Sequence, residues 1–237
     1  MKKILVIIAA LIFVTNVNGQ VQVVDDLNAE VRQLTDGFTS IIISGGIDVY
    51  LSQSNAEAIA VSASEPKLRE AIKTEIKNGV LKIYVEGDKI WKWKSRNLRV
   101  YISFKNLQLL DVSGASDVVV AGSINSPDLS LKFSGASDFK GAVTVNTLAI
   151  NLSGASDVKI SGTAAIININ SSGASDVSGF GLVTDDCKAT ASGASDINLT
   201  VNKEISAQAS GASVITFRGS GELTKSNTSG ASSIRRG

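Results

Sequence analysis

Apolar and polar residues alternate with a period of two through most of the chain, as in Leu129-x-Leu131-x-Phe133, Leu148-x-Ile150-x-Leu152 and Ile167-x-Ile169. Shorter runs of the same kind lie between these, among them Val118-x-Val120, Val158-x-Ile160, Ile197-x-Leu199 and Ile215-x-Phe217. Period two predicts strands with one face toward a core and the other toward water. One tetrapeptide joins each long run to the short run after it. Ser-Gly-Ala-Ser begins at Ser113, Ser134, Ser153, Ser172, Ser192, Ser210 and Ser229, at spacings of 21, 19, 19, 20, 18 and 19 residues.

A period that drifts this little predicts one solenoid turn per copy, with insertions taken up in the turns. No stretch of ten or more residues in the repeats carries a helical period, so the rungs must stack as parallel strands without helical crossovers. The expected fold class is all-β, a single-stranded parallel β-helix with rungs about 4.8 Å apart. The tetrapeptide is then its corner: Gly supplies a positive φ, Ala leaves little volume inside the bend, and stacked serines exchange hydrogen bonds between rungs.

In five copies an aspartate follows the motif, and Asp117, Asp138, Asp157, Asp176 and Asp196 should stack into a ladder. Neighbouring carboxylates at the rung spacing repel by about 0.9 kcal/mol in water. A carboxylate that accepts a backbone N–H at its own corner gains about 1.5–3 kcal/mol, so the ladder stands without a cation. Val214 and Ser233 replace Asp in the last two copies, so the corner also closes without it. A structural ladder is expected, with a metal row as the alternative and no cofactor.

Residues 20–110 hold a degenerate form of the pattern, and 20–237 are expected to form one domain, with 111–237 as its repeat rungs. Ser44-Gly45-Gly46-Ile47 has the corner's character and is followed by an alternating strand. Leu68, Ile72 and Ile76 recur at helical spacing after Pro66, which predicts one short helix over about 65–77, capped by Ser64 and ended at Asn78-Gly79.

The first 19 residues change the picture of where the protein works. Lys2 and Lys3, the apolar run from Ile4 to Val14 and a small-residue stretch ending at Gly19 have the layout of a signal peptide, and the run is too short to span a bilayer. Export to the periplasm, the outer-membrane surface or the medium is expected, with no transmembrane segment after cleavage. Removing Lys2 and Lys3 from 23 basic residues leaves 21 against 22 acidic, a formal charge of −1 that gives no general attraction for nucleic acid. The absence of His excludes every Ser-His and Cys-His pair. Cys187 alternates with Ala189 and Ala191 and is expected to be a buried hydrophobe.

One cluster stands apart in composition. Trp91, Lys92, Trp93, Lys94 and Arg96 combine aromatic and basic side chains, either as edge packing or as a surface for sugar rings and anionic glycans. At the other end, Arg235 and Arg236 would blunt the edge of the last rung, or that edge is a homo-oligomer contact.

Gly46-Ile47-Asp48-Val49-Tyr50-Leu51, then Asp111-Val112-Ser113-Gly114-Ala115-Ser116-Asp117 and its serial repeats, resemble the putative auto-transporter adhesin, head GIN domain family of Bacteroidetes and related bacteria. The resemblance runs over about residues 38–230, with Asp48 in place of the Asn of Gly-Ile-Asn. It implies a right-handed β-helix in an exported adhesion protein and carries over no catalytic residue. The expected function is a non-enzymatic binding or adhesion module for a glycan, an envelope component or a protein. A structural envelope protein and, behind it, an enzyme of the polysaccharide-lyase kind are the alternatives.

Overall fold

The computed structural model describes residues 26–87 and 97–237. In chain order its elements are β1 (Glu30–Arg32), β2 (Ser40–Gly45), β3 (Asp48–Gln53), β4 (Ala58–Ser62), α1 (Pro66–Ala71), β5 (Ile72–Lys77), β6 (Val80–Val85), β7 (Arg99–Phe104) and β8 (Leu109–Gly114). Five long strands follow: β9 (Asp117–Gly135), β10 (Asp138–Leu152), β11 (Asp157–Ser171), β12 (Asp176–Ala191) and β13 (Asp196–Gly211). The chain ends in β14 (Val214–Arg218), β15 (Glu222–Gly230) and β16 (Ser233–Arg236).

Each long strand leaves one corner, bends, and enters the next, so the chain winds a β-solenoid whose rungs pair in parallel. The leaving segments stack as β7-β3-β9-β10-β11-β12-β13-β14-β16. The entering segments stack as β6-β2-β8-β9, then on through β10 to β13 to β15.

The motif closes the corner by a division of labour among its four residues. Gly135, Gly154, Gly173, Gly193 and Gly211 all have φ between 77° and 85°, a region open to glycine at little cost. The next residue's N–H then reaches back one rung, as Ala155 N donates to Gly135 O at 2.7 Å and Ala174 N to Gly154 O at 2.8 Å. Alanine points outward into solvent, not into the bend as its small size suggested, because the inside of the corner belongs to the second serine. Ser116, Ser137, Ser156, Ser175, Ser195 and Ser213 are fully buried. Their hydroxyls donate to backbone carbonyls, as Ser156 Oγ does to Ser153 O at 3.2 Å and Ser195 Oγ to Ser192 O at 2.9 Å. A hydroxyl fits this position because, unlike a methyl, it donates a hydrogen bond back to a carbonyl of its own corner.

Inward positions form continuous apolar columns along the axis. One runs Val118, Phe139, Val158, Val177, Ile197 and Ile215, and another Leu131, Ile150, Ile169, Ala189 and Ala207. Cys187 lies between Ile167 and Ile205 in a third column, and burial pushes its thiol up to about 12, so it serves as a small hydrophobe.

Both ends of the rod are finished differently from its middle. In space the β2–β3 rung lies between the β6–β7 rung and the first repeat, so the chain starts one rung in and turns back to cover itself. β4 then adds antiparallel to β7, β1 antiparallel to β4, and β5 antiparallel to β6, while Leu68 of α1 is buried in the core. The helix expected over 65–77 covers only Pro66–Ala71, with Glu65 as N-cap and no side-chain cap bond. Ile72, Thr74 and Ile76 also satisfy a period of two, and Asn78 and Gly79, at φ 52° and 73°, form a tight turn that pairs them with Val80–Val85. Hairpin pairing outweighed the four-residue spacing of Leu68, Ile72 and Ile76. At the other end Ser226, Thr228 and Arg236 occupy the inward columns that carry Ala207, Ala209 and Phe217 one rung earlier. Arg236 lies over the Phe217 ring at 4.8 Å and donates to the Gly219 and Gly221 carbonyls, giving the core a polar lid.

Candidate functional site

With the interior packed and both ends covered, the outer face of the leaving strands holds the chain's most distinctive chemistry. Two columns of outward side chains run down it, one at the first residue after each corner and one two residues on. The first reads Asp48, Asp117, Asp138, Asp157, Asp176 and Asp196 before Val214 and Ser233 replace the acid. The repeat therefore places its five aspartates in one row, and the half-buried Asp48 of the degenerate corner extends it.

The carboxylates are used by the rungs themselves. Asp157 N–H donates to Asp138 Oδ1 at 3.2 Å, and Asp196 N–H to Asp176 Oδ1 at 3.1 Å. Each such carboxylate thus accepts from the following rung, whereas the expectation placed the bond at its own corner. Among the described residues, no group of three His, Cys, Asp or Glu side chains is placed to hold a metal ion.

Crowding in the row has a measurable sign. Burial and the charges of Asp138 and Asp176 hold the Asp157 carboxyl above the usual range, and burial with Asp117 does the same for Asp48 against the pull of Arg99. A carboxyl raised in the folded state destabilises the fold when ionised, so acidification relieves it as the pH falls through the raised value. Asp26 works the other way: bonds from Tyr101, Ser62 and Asn28 with the charge of Arg99 outweigh its burial and lower it, so its contribution is lost at still lower pH. Stability is expected to rise from neutral pH toward about 4 and to fall below that. Asp157→Asn should flatten the rise, as read by thermal midpoints across the pH series; an unchanged slope would mean the row does not strain the fold.

The second column reads Tyr101, Tyr50, Val119, Lys140, Lys159, Ser178, Asn198, Thr216 and Arg235. Tyr101 and Tyr50 stack at 5.2 Å, and Tyr101 donates to Asp26 Oδ2 at 2.8 Å. The middle of the column borders a depression. Register shifts between Lys140 and Ala142, between Lys159 and Ser161, and between Gly179 and Val183 bulge the strands here. At Gly141 a Cβ would meet the Val120 side chain at 2.8 Å, so the floor dips where a larger residue cannot fit.

The result is an open groove of about 550 Å³, floored by Val120, Ala142 and Ile160, walled by Lys140 and Lys159, and ended by Phe180. A second hollow of about 390 Å³ shares Val119 and both lysines and reaches the carboxylates of Asp117, Asp138, Asp157 and Asp176. Arg218 lies over the Phe180 ring at 4.0 Å. Val119 is 39% exposed although apolar. Among the described residues no carboxylate pairs with Lys140 or Lys159.

Of the candidate site residues singled out in the sequence, only the aspartate row comes close, lining the second hollow that shares Val119, Lys140 and Lys159 with the groove. Trp91, Lys92, Trp93, Lys94 and Arg96 lie outside the described residues. Sequence reasoning passed over Lys140 and Lys159, although lining up the motif copies puts both at the third position after the last serine. The bulges and the missing side chain at Gly141, which turn that column into a wall, leave no such signal.

The family described as "Putative auto-transporter adhesin, head GIN domain" matches residues 37–221. The chain belongs to this family. Solved structures share its fold. A putative adhesin from Bacteroides fragilis NCTC 9343 superposes with a TM-score of 0.81 at 21% identity, covering 88% of this chain and 96% of that one. A putative lipid binding protein from Parabacteroides distasonis ATCC 8503 gives 0.67 at 19% identity over 89% and 97%. A putative adhesin from Parabacteroides merdae ATCC 43184 gives 0.67 at 17% identity over 89% and 96%. No curated protein matches the chain. The family and most of these neighbours carry the names of adhesins, not enzymes, and no helix among the described residues is long and apolar enough to cross a membrane.

Proposed function

We propose that this chain is a non-enzymatic adhesion module that works outside the cytoplasm and binds a glycan or another envelope component through the outer face of its leaving strands. The observation that carries this reading is the groove beside Lys140 and Lys159, set in the face of a solenoid whose interior is packed with side chains. A rigid stack of rungs holds that surface in place and lends it a regular spacing, which suits recognition of an extended partner. Membership in an adhesin family supports the same reading, and the leader-like first 19 residues support export.

Purified residues 20–237 are expected to bind whole bacterial cells or isolated envelope polymers saturably. A Trp91→Ala/Trp93→Ala variant measured alongside shows whether the aromatic cluster adds to the surface, and chelation of calcium shows whether a cation takes part. Absence of binding to every cell and polymer preparation would replace adhesion by a structural role in the envelope.

A further inference from the structure

The groove also points to a class of ligand, and this inference rests on the adhesion reading. Lys140 and Lys159 stand on neighbouring rungs, paired to each other by register and to no carboxylate among the described residues. Two ammonium groups about one rung apart repel, and one anionic group placed between them would satisfy both. Beside them the aspartate row presents carboxyl oxygens that accept hydrogen bonds, which suits a ligand rich in hydroxyl donors. The same row repels a polymer that is charged at every unit. The floor of Val120, Ala142 and Ile160, with Val119 and Phe180 at its margins, offers apolar contact to a ring's C–H face.

We infer that the groove takes a linear glycan that carries a carboxylate only on alternate sugars, with that carboxylate between Lys140 and Lys159 and its neighbours' hydroxyls on Asp138, Asp157 and Asp176. Hydroxyls and an isolated acid on one chain match the acceptor row and the lysine pair together. A neutral glycan leaves the lysines unsatisfied, and a fully acidic one meets the aspartates.

The test uses three hexasaccharides of equal length on the whole mature chain: a hyaluronan fragment, in which uronic acid alternates with N-acetylated sugar, a neutral chitin fragment, and an oligogalacturonate charged at every unit. By titration calorimetry the hyaluronan fragment should bind most tightly, and Lys140→Ala/Lys159→Ala should weaken it by roughly ten-fold or more. Lys188→Ala/Lys225→Ala, on the entering strands, should leave it unchanged. All four positions are exposed, and matched thermal midpoints would show that the variants fold.

Equal binding of the three sugars, no loss in the Lys140/Lys159 variant, or capture by anionic phospholipid vesicles in place of sugar would overturn the inference. Cell binding separates it from the broader reading. A chain that adheres to cells as well with the Lys140/Lys159 variant as without it is an adhesin that uses another surface, whereas lysine-dependent sugar binding without adhesion to any cell sinks only the adhesion role.

Discussion

Gly154→Ala is expected to destabilise the protein by about 2–4 kcal/mol, while Ala155→Gly, one residue on, should cost well under 1 kcal/mol. Gly154 sits in a mid-stack corner at φ 84°, where an L side chain is strained. A Cβ there would also lie 2.5 Å from Gly135 O, the carbonyl that Ala155 N–H contacts at 2.7 Å. Relieving that clash means lifting the corner off the previous rung, which breaks the bond and disturbs the corner above. Ala155 is exposed, so removal of its methyl acts mainly through backbone entropy. Urea midpoints of the two variants read the contrast directly. Comparable losses would mean that the corner tolerates a β-carbon and that the repeat's glycine reflects something other than close approach.

The same contrast marks how far the sequence is legible. Glycine's role, the alternation of each strand and the stacking of Asp117 to Asp196 follow from period and spacing, because one rung's geometry repeats. Ala155 and Ser156 are adjacent and equally small, and nothing in the motif's composition says which of them faces inward. The backbone carbonyl of the corner decides it, since the Ser156 hydroxyl can donate to Ser153 O and a methyl cannot. The N-terminal part resisted for a different reason. There β2 and β3 are sandwiched between rungs that follow them in the chain, and antiparallel β1, β4 and β5 cover the end, so neighbours in sequence are not neighbours in the stack. The Ile72 to Lys77 segment satisfies both a helical and a strand period, and its fate depends on a partner strand that local pattern does not contain. In the groove, the side chains were readable as a column, but their depth comes from bulges set by tertiary register.

Phe139→Ala is expected to have the largest effect of any single truncation in the repeats, about 3–5 kcal/mol. Two of the inward columns, those through Leu131 and Phe133, narrow along the axis. Where β9 and β10 meet, Phe133 and Phe139 pack edge to face at 5.6 Å, and both are buried. Two to four rungs on from Phe133, the column that carries Phe133 and Leu152 has shrunk to Ser171, Ala191 and Ala209. A rung that carries a ring is held open by it, and its neighbours, stacked by backbone bonds on both sides, cannot collapse into the space left behind. The cavity therefore persists and adds its cost to the lost transfer energy of the ring. The taper predicts the opposite failure at the narrow end, where Ala191→Leu inserts volume between walls already in contact and should cost about 1–3 kcal/mol. If the columns were loosely filled, Ala191→Leu would stabilise the protein and Phe139→Ala would cost little more than its transfer energy. Chemical unfolding of both variants, with the slope on denaturant checked for two-state behaviour, decides between a packed tapering core and a loose one.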